Sequence, residues 1–313
     1  MVVEYFTWIG HHVLLRRFII EGVVKNVDPL RVGVGRGAAF APTDLMILKI
    51  AGKPVIPGST WKGVFRATCY RLGLSRGIKN LCQGIPRAQC LKGTEFDVFE
   101  KGQYADEISE KIKAIIEGTA ANVCLLCLMF GSPGFSSHVY FEDSFPTPKH
   151  SGIVRKCIKY RTCVAIDRRT GAASKRALYT IEYVEPGVEF NFRMVADNLP
   201  NYALGLLAEV FAEIQEGIVK VGGHKSRGFG TVRFEDLRVS VVPCGSGKGV
   251  VDGRLVALDP IDEDVEWPVE GCVAEGNDAW KVLRRLRDVW GKCSTRIAEI
   301  SRNNWKWSIA LKR

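Results

Sequence analysis

The chain has 313 residues, of which 46% are hydrophobic and 25% charged, the composition of a globular protein. No run of about 20 apolar residues is free of charge, which excludes a membrane-spanning helix. The greasy run at residues 18–24 is broken by Glu21 and lacks the flanks of a secretory signal. The formal net charge is +10, and its distribution is uneven: residues 1–80 hold twelve bases and four acids, residues 149–176 nine bases and one acid, and residues 255–280 eight acids and no base. Two basic zones of this kind are the footprint of a polyanionic partner such as nucleic acid, the alternative being a solvated surface of uneven charge. With no export signal, a cytoplasmic location is expected, and the ten cysteines are expected as reduced thiols.

In chain order, residues 13–24 are rich in Val, Ile and Leu and predict a strand, and residues 28–42 a glycine-containing loop. After a short apolar run at 45–50, Pro57-Gly58-Ser59 signals a helix start with Ser59 as N-cap. That helix shows Trp61, Phe65, Thr68 and Leu72 on one face and is expected to end at Gly73. Residues 80–100 look irregular, and 105–118 helical. Strands are predicted at 139–141, 157–166 and 178–184, the last two flanking a basic loop at 167–175. A strand at 188–195, a helix at 202–215 and a long strand at 229–242 follow. Residues 243–249 read as a Gly-rich linker. Beyond it come the acidic stretch, a basic helix around 280–290, and a tail with Trp305 and Trp307. This order predicts an α+β fold, a ferredoxin-like or RRM-like antiparallel sheet with helices on one face. The core spans 1–242, with insertions at about 80–130 and 145–185, and 243–313 forms a C-terminal extension.

Two segments carry chemistry. Val221-Gly222-Gly223-His224-Lys225-Ser226-Arg227-Gly228-Phe229-Gly230 lets the backbone approach a ligand closely, with Lys225 and Arg227 adding charge. Its continuation to Phe234 resembles the RNA-recognition signature R-G-F-G-F-V-x-F, departing at Thr231 where a stacking aromatic would stand. The plainer alternative is a tight turn before a strand. Ile56–Arg66 places Lys62 and Arg66 four apart on the first helix, with Lys62 near a helix N-terminus that already favours anions. By itself this is also an ordinary amphipathic helix with solvated bases.

Together with Arg161–Ala173 and Val184-Glu185-Pro186-Gly187, these segments resemble the RAMP superfamily of CRISPR effector proteins over residues 13–240. The similarity is to the type III backbone subunit, which lines up along guide RNA and cuts target RNA. The 161–187 segment resembles the inserted β-hairpin thumb of those subunits, with Arg168 and Arg169 at its tip. The resemblance implies guide RNA on the Gly-rich loop (Gly222, Gly223, Lys225, Arg227) and on Lys62 and Arg66. Its implied partners are CRISPR guide RNA, target RNA, other type III subunits and further copies of the chain, with no membrane. It also implies a target-cutting aspartate before the Ile-Pro-Gly-Ser segment. The residue there is Asp44, acting as base or helping to hold Mg2+ or Mn2+, with Arg36 balancing charge; the alternative for Asp44 is a turn acid after Pro42. Other readings in the same superfamily are a non-catalytic capping subunit and a stand-alone guide-processing endoribonuclease, for which His11 and His12 are the candidate pair.

Cys124 and Cys127 have the C-x2-C spacing that grips one metal, and Cys82 and Cys90 lie upstream to complete a structural Zn2+ site. His138 or His150 could replace one sulfur. The alternative is a set of buried thiols in an apolar run.

Overall fold

The structure is a computed structural model describing residues 7–34, 45–79, 81–84, 90, 123–132 and 135–302. Arg36, Asp44, the expected helix at 105–118 and the Trp305/Trp307 tail lie outside the described residues.

Strand β1 (Arg17–Asn26) turns Phe18, Ile20 and Val24 inward. It pairs with β5 (Glu189–Asp197) on one side and β6 (Val232–Val242) on the other. With β2 (Val139–Phe141) and β7 (Val273–Glu275), the sheet order is β7-β6-β1-β5-β2, antiparallel throughout. The four strands of the core and the helices α1 (Gly58–Ser75) and α3 (Asn201–Gln215) follow the βαββαβ order of the ferredoxin-like plan, as the sequence predicts. Strand β7 is an addition at the β6 edge.

Both helices cover one face of the sheet. Between them and the sheet, Trp61, Phe65, Phe192, Phe211 and Phe234 form an aromatic core, with ring centroids 4.8–6.2 Å apart. The other face carries cross-strand ion pairs: Arg17–Asp197, Glu21–Arg193–Glu142, Lys25–Glu235 and Arg238–Glu275. An RRM reads RNA with aromatics on such a face; here charged pairs occupy those positions, and Phe234 of the signature-like stretch is in the core.

Helix α1 departs from the predicted limits at both ends. Its N-cap is Pro57, without a side-chain cap bond. The Asp143 carboxylate, just after β2, instead accepts from the Gly58 N–H at 2.8 Å, a long-range cap that no local signal reveals. Gly73 does not end the helix, because it faces Leu81 in the interior, and the helix runs to Ser75.

Two insertions interrupt the plan. The short helix α2 (Leu125–Phe130) lies before β2. A hairpin of β3 (Ile158–Ile166) and β4 (Ala173–Val184) forms its own two-stranded sheet. This hairpin falls on the segment expected to form the thumb, with Tyr160, Val164, Ile166 and Leu178 exposed.

Residues after 242 pack onto the core. Residues 243–249 fold back rather than linking freely: Gly245 N–H bonds Val250 O at 2.8 Å, and Cys244 joins Cys272 in a disulfide. The expectation that all cysteines are thiols therefore fails at this pair, whose partners are brought together only by the fold. Helix α4 (Asn277–Arg302) crosses α3 so closely that a Cβ on Gly205 would lie 2.1 Å from Leu286 O.

The acidic stretch turns two carboxylates inward against the fully buried Arg16. The Arg16 guanidinium donates to Leu199 O, Val256 O and Asn201 Oδ1. Asp262 caps α3 by accepting from the Asn201 and Tyr202 amides at 2.8 and 3.0 Å. Asp259 accepts from Trp8 Nε1 and the Tyr202 hydroxyl, and burial pushes its carboxyl up to about 7. Burial lowers Arg16 to about 10, a shift that the three neighbouring aspartates oppose.

Truncating one side of a buried charge network leaves the other side uncompensated. Arg16→Leu should lower the unfolding free energy in urea by about 3–5 kcal/mol; a loss below about 0.5 kcal/mol would show that the network is dispensable.

Candidate nucleic-acid groove and cysteine cluster

Beyond β1 the chain turns through residues 27–33, and the Gly-rich loop packs on that turn. Gly223 N–H donates to Arg31 O at 2.7 Å, and Gly230 N–H to Pro29 O at 2.9 Å. Gly222 has φ +83°, and a Cβ there would fall 2.4 Å from Arg31 O, so the loop can seat only as glycine. Helix α1 lies opposite and offers Thr60, Gly63, Ala67 and Arg71. The two motif segments thus wall one open groove of about 1510 Å³. Lys225 and Ser226 form one rim and Leu45 lies on another part of the lining. Burial, then the charge of Arg71, lowers the Lys225 pKa, so the two cations share one positive field. No carboxylate occurs among the described lining residues.

The predicted RNA-contacting residues divide into three groups. Gly222, Gly223 and Lys225 line the groove. Arg66 is also in the lining, but its guanidinium donates to Gly131 O at 2.8 Å and to Cys127 Sγ at 3.2 Å. Lys62 is half-buried, outside the described lining, and its pKa is lowered by burial and then by Arg66. Arg227 donates to the Tyr179 hydroxyl at 2.6 Å. Arg168 and Arg169 are exposed at the thumb tip, away from the groove, and Arg169 pairs with Asp167.

The Arg227 contact belongs to a joint between thumb and loop. The Arg161 guanidinium sits 5.4 Å from the Tyr183 ring centroid and 5.2 Å from that of Phe229. Phe229 is buried there. The base of the thumb also holds the segment leading to α1: the buried Glu182 carboxylate accepts from Ile47 N–H and pairs with Lys49, and Leu45 N–H bonds Thr180 O at 3.3 Å. Tyr179 and Arg71 escape a motif-based reading, and Arg161, though it opens the 161–173 segment, is given no role by it. Only Arg71 leaves a trace, standing four residues beyond the small Ala67 and eight beyond Gly63.

Cys82, Cys90, Cys124 and Cys127 come together, with all four Sγ atoms within 4.8 Å of one another. Cys124 is the N-cap of α2 and Cys127 lies one turn later. Cys124 N–H donates to Cys90 Sγ at 3.3 Å. Hydrogen bonding with Cys124 lowers Cys82 and brings Cys127 down to about 7, while Cys90 and Cys124 itself are pushed up. Four soft donors converging on one point could hold a metal such as zinc. His138 and His150 are not in the cluster. His138 is buried, with Ile9 O and Asp197 O beside its ring nitrogens, and His11 stacks on it at 4.0 Å. His12 is exposed, and no histidine is among the described lining of the groove.

No helix among the described residues is long and apolar enough to cross a membrane. The sequence matches no curated protein. The family model of the RAMP superfamily matches residues 23–233, from within β1 to the start of β6. That span is well over half of the chain and includes both groove walls, the cysteine cluster and the thumb. The chain belongs to the RAMP superfamily, which points to a CRISPR-associated RNA-binding protein in a group that includes endoribonucleases.

Proposed function

We propose that the chain is a guide-RNA-binding backbone subunit of a type III CRISPR effector complex and that it cleaves guide-complementary target RNA. The observation that carries this reading is the single groove walled by α1 and the Gly-rich loop, with Arg71 and Lys225 in its lining and the base of the thumb tied to the same loop. Guide phosphates lie along the groove, contacted by Lys225, the Gly222 and Gly223 backbone and, beside them, Lys62, Arg66 and Arg227. The thumb, with Arg168 and Arg169 at its tip, reaches across the guide–target duplex, and the partners are target RNA, other type III subunits and copies of the chain.

Cleavage needs a base for the attacking 2′-OH, in-line geometry, and cations to offset phosphate charge. Asp44 takes the proton, and Arg36 balances charge. The next residue, Leu45, supports this assignment, because it lines the groove and is hydrogen-bonded to the thumb. Since the described lining holds no carboxylate, Mg2+ or Mn2+ would rest on Asp44 and on phosphate oxygens. Its contribution would be charge neutralisation at the scissile phosphate.

The cysteine cluster holds a structural Zn2+. Four sulfurs close a tetrahedral shell and leave no position for a reacting water. The Arg66 N–H groups directed at Cys127 and Cys82 Sγ offset the charge of thiolate ligands. Arg66 thereby joins the metal site to the helix that walls the groove.

Three measurements test this reading. Asp44→Ala in the assembled complex should slow target RNA cleavage by about 10²–10⁴ while guide and target binding stay intact; cleavage at the wild-type rate would leave a non-catalytic subunit. Deleting residues 167–174 should preserve the melting temperature but blur or abolish the cleavage ladder, and a sharp wild-type ladder would remove the thumb's role. Elemental analysis should find about one zinc per chain. Cys124→Ser should release it and lower thermal stability, whereas a metal-free, fully folded wild type would refute the zinc site.

A further inference from the structure

Arg31 is a nearly buried cation with no anion beside it among the described residues. It stands at the floor of the groove, 8% exposed. No acid among the described residues forms an ion pair with it, and its shielded Nε has no hydrogen-bond partner. Among the described residues, its hydrogen bonding is through the backbone carbonyl, which accepts from the Gly223 N–H. Burial lowers its pKa with no carboxylate acting the other way. Its charged surroundings are positive: His224 feels Arg31 and Arg227 as charges that lower its own pKa, after the larger effect of burial.

The surrounding backbone is shaped to the guanidinium. A Cβ on Gly33 would lie 2.8 Å from one terminal nitrogen of Arg31, and a Cβ on Gly223 would lie 3.2 Å from the other. Two glycines therefore flank the fork, one from the turn after β1 and one from the Gly-rich loop. A buried guanidinium is costly unless an anion satisfies it, and a planar fork suits a tetrahedral oxyanion taken by two parallel N–H donors.

We propose that Arg31 is a phosphate anchor, its guanidinium fork taking one phosphodiester of a single-stranded RNA laid along the groove between α1 and the Gly-rich loop. This rests on the RNA-binding reading of the same groove and names a residue that neither the motif segments nor the family match singles out. A carboxylate could also occupy a fork, but Arg71 and Lys225 lie in the same lining. Several cations along one groove suit the repeating charge of a phosphodiester chain better than a single side-chain acid. Flanking glycines also let a backbone phosphate come close.

The test uses the full chain, a fluorescein-labelled oligouridylate, and anisotropy titrations over a range of KCl concentrations. Arg31→Met should weaken binding at least about tenfold and flatten the slope of log affinity against log salt by about 0.7. Without RNA, Arg31→Met should melt no lower than wild type, because an unpaired buried charge is removed. Should that variant fail to fold, Arg31→Lys carries the test: it keeps the charge but loses the fork, so affinity should fall while the salt slope stays. Wild-type affinity and slope in both variants would overturn the anchor and leave RNA binding standing. A wild-type chain that binds no oligouridylate, yet gains melting temperature in pyrophosphate where Arg31→Met gains none, would keep an oxyanion fork at Arg31 and overturn the RNA reading. Preference of wild type for oligoglutamate over oligouridylate would overturn the proposal in favour of an acidic protein partner.

Discussion

The placement of β1 between β5 and β6 is the constraint on which the other parts depend. It is the one strand with a long antiparallel partner on each side, so its direction and register fix both halves of the sheet. At its end, the buried Asn26 side chain donates to Asp28 O and Glu185 O and accepts from Val188 N–H. That single amide holds three things in place: the end of β1, the turn that forms the groove floor, and the point where the chain leaves the thumb. The Gly-rich loop then seats on that turn. A shift of β1 by one residue would exchange its buried and ion-paired faces and displace the groove floor with them.

Much of the fold was legible because it is written in local periodicity. The alternation expected at 13–24 appears as a strand at 17–26, the face of Trp61, Phe65 and Thr68 lies on a helix, and the apolar helix at 202–215 is found at 201–215. What escaped depends on partners distant in sequence. The α1 cap comes from Asp143, Gly73 serves packing, and the acids of 255–264 look like a solvated stretch until Arg16 is seen facing them. The Cys244–Cys272 bond likewise has no spacing signal, since its two halves meet only when β7 pairs with β6.

For the groove, sequence motifs identified the walls but carry no information on what each cation touches in the fold. A count of bases treats Arg66, Arg161, Arg227 and Arg31 alike. In the fold, Arg66 is directed at sulfur, Arg161 lies beside two aromatic rings, and Arg227 is bonded to a tyrosine. Arg31, which belongs to no motif, is buried with no side-chain partner among the described residues. The difference is made by neighbours that only tertiary structure supplies: a cysteine cluster, a thumb and a pair of glycines. The cysteines themselves were easier to read, because a C-x2-C pair on a helix places two sulfurs one turn apart, and the other pair needed only to come within reach.

Strand β7 has a consequence for how copies of the protein can meet. An outer strand as long as β6 would ordinarily offer a row of free amides and carbonyls to a neighbouring chain. Here Val273–Glu275 pairs with residues 238–240, Cys272 O accepts from the Val241 N–H, the Gly276 N–H donates to Leu237 O, and Gln215 Oε1 accepts from the Phe234 N–H. At the opposite edge, β2 is three residues long. The sheet therefore ends within the molecule on its β6 side and offers little template on the other. Copies that met at either edge of this sheet would recognise one another through side chains and loops, and no backbone ladder would run from one such sheet into the next.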